Sequence, residues 1–114
     1  MKVTIEALEE YLRSVYGGKV GEQALFMKLV EEVGETAEVL NMRSGAKKAD
    51  GSDLDARLTE ELTDVLHYVA AIAAVNGLDL NESVISKDKK AAVKYGKTTN
   101  LEEFHQKYKD GGER

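Results

Sequence analysis

The chain has 114 residues, 42% of them hydrophobic and 32% charged, with 21 acidic against 16 basic side chains and a formal net charge of −5. That length bounds one domain with a small core, of the kind that oligomerisation completes. The acidic balance counts against nucleic acid as the main ligand, and the absence of cysteine excludes disulfides, thiolate zinc sites and a cysteine nucleophile. Proline is also absent, which favours long unbroken helices. The opening MKVTIEALEEYL carries charges where a signal peptide needs an apolar run. The longest apolar stretch, residues 65–75, is interrupted by His67 and Tyr68 and too short for a bilayer. A soluble, cytoplasmic, all-α protein is expected.

Thr4 is placed to cap a first helix that runs to about residue 15 and stops at Gly17-Gly18. A second helix is predicted from about residue 22 to 43, ended by Ser44-Gly45. Residues 44–53, SGAKKADGSD, read as a polar, mobile loop. Ser52 or Asp53 then caps a third helix that continues to Asn76, with Gly77 in the left-handed position after it. Asn81 is the expected cap of a fourth helix ending near Tyr95-Gly96. Asn100, with Glu103 three residues on, has the spacing of a capping box and opens a short fifth helix. Residues 1–109 are expected to form a single helical domain and residues 110–114 a disordered tail.

Helical periodicity turns this layout into chemistry. At about 100° per residue, Leu25, Phe26, Leu29, Val33, Ala37 and Leu40 make one apolar stripe on the second helix. Lys28, Glu32, Glu35 and Val39 form a band beside it, while Glu31 and Glu38 fall toward solvent. On the third helix the stripe is Leu58, Leu62, Val65, Leu66, Val69 and Ala73, with Glu61, Asp64 and Tyr68 on the neighbouring band. An antiparallel return would bring both acidic bands to the same edge of the helix interface.

Each band supplies two carboxylates at i, i+3: Glu32 with Glu35, and Glu61 with Asp64. Four carboxylates on two packed helices offer the hard oxygen ligands that suit Mg²⁺. A solvated charged face is the ordinary explanation for such pairs. The apolar stripes beside them favour a site, since partly buried carboxylates repel one another and raise each other's pKa unless a cation neutralises them. Lys28 is the alternative source of that neutralisation.

The arrangement Glu-Glu-x-x-Glu, a loop, then Glu-x-x-Asp resembles the signature of the MazG-like nucleotide pyrophosphohydrolases, a branch of the all-α NTP pyrophosphatase superfamily. LVEEVGETAEVL and ELTDVLHYVAAIAAVNGLDL look like that family's two core helices, and the likeness is good over residues 26–80. The resemblance implies a four- to five-helix bundle, completed as a homodimer or homotetramer. It also implies cleavage of a nucleoside triphosphate between the α- and β-phosphates, to monophosphate and pyrophosphate. Mg²⁺ would be required, with Mn²⁺ a possible substitute. Carried across, the metal and catalytic residues are Glu32, Glu35, Glu61 and Asp64; Glu31 matches the first acid but turns away. Basic residues downstream of the second motif commonly hold phosphates in this family, which makes Lys87, Lys90 and Lys94 substrate candidates, with Lys28 and Tyr68, and Lys97 and Asn100 weaker ones. The family pattern often carries Asn and Arg there, whereas Lys predominates here.

Other residues admit two readings. Asp64-x-x-His67 has the spacing of two transition-metal ligands, but His67 is expected to face solvent or a partner helix. Phe26 and Met27 sit where a base pocket could form, and core packing is the better expectation for Phe26. Gly34, costing about 1 kcal/mol in a helix relative to Ala, suggests a close helix approach or access to a metal. The motifs leave open a dUTPase-like or phosphoribosyl-ATP pyrophosphohydrolase, and a non-catalytic interaction module on the same fold. A ferritin-like di-metal bundle needs Glu-x-x-His on two helices, and this chain has no such pair of motifs.

Overall fold

The structure is a computed structural model and describes residues 1–110. Five helices follow one another: α1 Ile5–Tyr16, α2 Glu22–Ser44, α3 Leu54–Val75, α4 Leu80–Lys94 and α5 Leu101–Asp110. Among the described residues there is no strand, and no helix is long and apolar enough to cross a membrane. The expected tail falls on residue 110 and on residues outside the described ones. The chain divides into two compact units, one ending at Leu78 and one starting at Asp79.

The helix ends follow from local chemistry. Thr4 Oγ1 accepts a hydrogen bond from the Ala7 amide at 3.0 Å, and Asp53 Oδ1 from Ala56 at 3.1 Å, so each satisfies an orphan donor of the first turn. Gly45 closes α2 at φ 84°, and Gly77 follows α3 at φ 65°, where Leu78 N reaches back to Ala73 O at 2.9 Å. Such a left-handed turn is a conformation other residues rarely adopt. The fourth helix starts earlier than predicted. Asp79, not Asn81, is its cap: Asp79 Oδ1 accepts from Glu82 N at 3.0 Å, and a carboxylate is favoured at the positive end of a helix.

In the first unit, α2 and α3 form an antiparallel hairpin. Asn76 Nδ2 donates to Glu22 Oε2 at 2.8 Å at one end, and Arg43 pairs with Asp55 at the other. The loop between them is held by Asp50, which accepts from Ser52 N at 3.0 Å and from Arg57 Nη1 at 2.9 Å, and by Lys47 on Glu38 at 2.9 Å. α1 lies antiparallel against the C-terminal half of α3, with Arg13 Nε on Ala74 O at 3.3 Å. Ala70, Ala71 and Ala74 are buried there with Leu12 and Leu25, and their small side chains let α1 approach closely. In the second unit, α5 packs on α4. Asn100 Oδ1 caps Glu103 N at 2.9 Å as predicted, and Asp88 Oδ2 takes the Leu101 amide at 2.5 Å.

The apolar stripe of α2 is turned from the predicted one. Leu25, Leu29, Glu32, Thr36, Val39 and Met42 face inward, Val39 at 0% exposure, whereas Phe26, Val33, Ala37 and Leu40 lie exposed, Val33 at 52%. Leu62, Leu66 and Val69 of α3 are also exposed, Leu66 at 55%. The periodicity offered two adjacent apolar arcs on each helix. Three helices can cover only one of them, so the hairpin seam runs along the arc that includes the acids. Phe26 is therefore not a core residue of this unit. Gly34 makes no close approach within it either: a Cβ there would meet nothing within 4 Å.

Candidate metal centre

Two of the four acids, Glu32 and Glu61, lie within the hairpin seam rather than at its edge. α2 rises from Leu25 and Leu29 to Glu32, then continues to Val39 and Met42. α3 runs the other way, from Leu58 through Glu61 and Val65 to Tyr68 and Ile72. Glu32 and Glu61 are half-buried between apolar layers, and Glu35 and Asp64 stand at the exposed margin. Carboxylate oxygens of Glu32, Glu61 and Asp64 lie within 4.8 Å of one another. Glu35 lies close enough to Glu61 to act on its carboxyl. Three of the four predicted ligands, Glu32, Glu61 and Asp64, therefore come together, with Glu35 beside Glu61.

Their electrostatics are those of a site short of positive charge. Burial, then the neighbouring Glu35, Glu61 and Asp64, push the Glu32 carboxyl up from 4.5 to about 7. Glu61 is raised too, by burial first and then by Glu35. Glu32 Oε2 and Glu61 Oε2 are buried with no hydrogen-bond partner among the described residues. An unsatisfied buried oxygen is costly in a folded protein. The donor set fits a hard divalent cation. Glu32, Glu61 and Asp64, with Glu35 beside them, would hold such a cation through carboxylate oxygens.

The remaining candidates fall in different places. Lys28 Nζ is 3.4 Å from Glu31 Oε2, both largely exposed, so it pairs outside the cluster and leaves the buried oxygens unneutralised. Tyr68 is half-buried one turn from Asp64 and leans on the Leu12–Leu25 cluster. Met27 is exposed, as is Phe26. Lys87, Lys90 and Lys94 are exposed on α4 in the second unit, where Lys90 borders an open hollow with Lys89, Glu82 and Glu102, and Lys94 lies 5.4 Å from the Tyr95 ring. His67 is not turned to the carboxylates: its Nε2 is 2.8 Å from the Tyr16 hydroxyl. Sequence reasoning missed that partnership. The run of alanines in VAAIAA signalled a close neighbour for α3, but not which residue of α1 would reach it.

Two i, i+3 carboxylate pairs that approach each other across a helical hairpin define an all-α protein with a candidate cation site. Comparison with known proteins gives the family. Residues 20–94 match the MazG nucleotide pyrophosphohydrolase domain, and the chain belongs to that family. The crystal structure of iMazG from Vibrio DAT 722 superposes with a TM-score of 0.62 at 31% identity, over 82% of this chain and 98% of that one. dCTP pyrophosphatase 1 of Rattus norvegicus is 46% identical over 66 residues, 55% of this chain, and the Mus musculus protein is 44% identical over the same length. The chain spans 39% of the length of these two mammalian relatives. YpjD of Bacillus subtilis, uncharacterised, is 31% identical over 81 residues, 71% of each chain.

Proposed function

We propose that this protein hydrolyses nucleoside triphosphates between the α- and β-phosphates, releasing a monophosphate and pyrophosphate. The observation that carries the reading is the pair of buried, unpartnered oxygens on Glu32 and Glu61, flanked by Glu35 and Asp64. These four residues would hold Mg²⁺, with Mn²⁺ able to replace it. A bound divalent cation supplies charge neutralisation on the phosphates and makes a coordinated water more acidic. The chain's own residues do the rest. The acidic margin of Glu35 and Asp64 faces the exposed side of the seam, where a carboxylate can aim and deprotonate a water in line with the α-phosphorus. Tyr68, one turn from Asp64, offers a ring to the nucleoside. Lys28, Lys87, Lys90 and Lys94 are the proposed phosphate contacts.

dCTP is the first substrate to test, because the two mammalian relatives that match over 66 residues are dCTP pyrophosphatases. The proposed setting is the cytoplasm, with no nucleic-acid partner, as the net charge of −5 favours. The exposed arc of Phe26, Val30, Val33, Leu40, Leu62, Leu66 and Val69 supports a homodimer or homotetramer, since monomers rarely leave so large an apolar surface open. Light scattering reporting a monomer would remove that part of the reading. The catalytic part is tested by incubating the protein with ribo- and deoxyribonucleoside triphosphates, with and without Mg²⁺, and identifying the products. Monophosphate plus pyrophosphate, only with metal, is the expected result. Diphosphate plus orthophosphate would overturn the bond assignment.

A further inference from the structure

Three polar aromatic residues meet where α1 ends against α3. Tyr16, the last residue of α1, brings its hydroxyl to 2.8 Å from His67 Nε2. Its ring meets His67 edge-on, with centroids 5.7 Å apart and planes at 85°. On its other side the His67 ring meets Tyr68 edge-on, at 4.9 Å and 79°. The imidazole is thus braced between two phenol rings, one on each helix. Tyr16 and Tyr68 both rest on the buried cluster of Leu12, Leu25, Ala70, Ala71 and Ala74. Burial, with smaller contributions from the hydroxyls of Tyr68 and Tyr11, raises the pKa of Tyr16, so it stays a neutral phenol able to pair with the imidazole in either tautomer.

We infer that Tyr16 and His67 are positioning residues for the substrate site, which lock the Tyr68 ring in the orientation that receives the nucleoside. The inference rests on the reaction proposed above. Asp64 and Tyr68 are one turn apart on α3, about 6 Å along the axis. Phosphates drawn to the carboxylates therefore leave the nucleoside within reach of the Tyr68 ring. A ring free to rotate loses conformational freedom when a ligand settles on it, whereas a braced ring has lost that freedom already on folding. If closing α1 onto α3 were all that mattered, an apolar pair of similar shape would serve as well, because replacing both partners of a buried hydrogen bond by apolar groups is nearly neutral. A hydrogen-bonded pair adds direction. It fixes the imidazole plane, and the imidazole plane limits Tyr68.

The test compares wild type, Tyr16→Phe and His67→Phe for kcat and KM on dCTP and the best triphosphate of the panel, each alone and combined with Tyr68→Leu. Tyr16→Phe keeps the ring and removes one hydroxyl, so it preserves the fold if His67→Phe does not. The expected result is a rise in KM of about fivefold with kcat changed less than about twofold, the size of one lost hydrogen bond. In the Tyr68→Leu background that rise should vanish, since coupled residues are not additive. An unchanged KM in Tyr16→Phe, or the same rise with Tyr68 already removed, would reduce the pair to a structural contact and overturn the inference. A wild-type protein that neither turns over nor binds any nucleotide would instead overturn the proposed reaction, and this inference with it.

Discussion

The α2–α3 hairpin contains two kinds of buried seam, built on the same two helices. At the end nearest α1, Leu25 packs in one cluster with Leu12, Ala70, Ala71 and Ala74, and the buried side chains of that cluster are all aliphatic. A few residues along, the same seam buries Glu32 Oε2 and Glu61 Oε2, which have no hydrogen-bond partner among the described residues. The first region lowers the free energy of the fold and the second raises it. A carboxylate placed between apolar layers is retained against its cost when it has work that only charge can do. The apolar layers on either side hold the acids in register, so the stable region is what positions the unstable one.

Substitutions should therefore act oppositely in the two regions. The largest effect is expected from Glu61→Gln or Asp64→Asn: turnover falls by at least about 100-fold, as removing a direct ligand should exceed the loss known for outer-shell changes. The helical fold persists in both, checked by circular dichroism, and retention of turnover in both variants would remove the proposed site. Next, Leu25→Ala should cost about 2–5 kcal/mol in urea unfolding, because it opens a cavity in the apolar cluster.

A third effect is smaller and carries the opposite sign. Glu32 has a folded-state pKa near 7 against an ordinary 4.5, so the folded protein holds a proton that the unfolded chain has released between those values. Its contribution is fully present below about pH 4.5 and is lost as pH rises through about 7. Glu32→Gln should then raise the melting temperature of the metal-free protein by a few degrees at pH 8 and leave it nearly unchanged at pH 4, read by calorimetry. No difference between the two pH values would mean that the carboxyl is not strained. The smallest effect on stability belongs to Lys28→Ala, which breaks an exposed pair with Glu31 and should cost under about 1 kcal/mol. A clear rise in KM from that same change would support Lys28 as one of the proposed phosphate contacts, and an unchanged KM would remove it.

How much of this was legible in the sequence differs by level. Helix boundaries were readable because caps and left-handed glycines act locally: Thr4, Asp53, Gly45, Gly77 and Asn100 all behave as their chemistry predicts. Asn81 misled because Asp79, two residues earlier, is equally able to cap and gains from the helix dipole. The four carboxylates could be grouped from i, i+3 spacing and the antiparallel return alone. Their depth could not. Each helix offers apolar residues over more than half its circumference, and periodicity does not say which arc a neighbour will cover. So the arc of Val39 and Glu32 is the one that packing buries, and the arc of Val33 stays exposed. The Tyr16–His67 bond lay beyond sequence reasoning, since it joins residues 51 positions apart through the approach of α1 to an alanine surface.

The central claim is that the buried oxygens of Glu32 and Glu61 are there to hold a divalent cation, and calorimetric titration with Mg²⁺ and with Mn²⁺ tests it most directly. The account predicts saturable binding by the wild-type protein at pH 8, lost in Glu61→Gln, and accompanied by proton release when repeated near pH 6. Absence of binding, or equal binding by the wild type and Glu61→Gln, would contradict it.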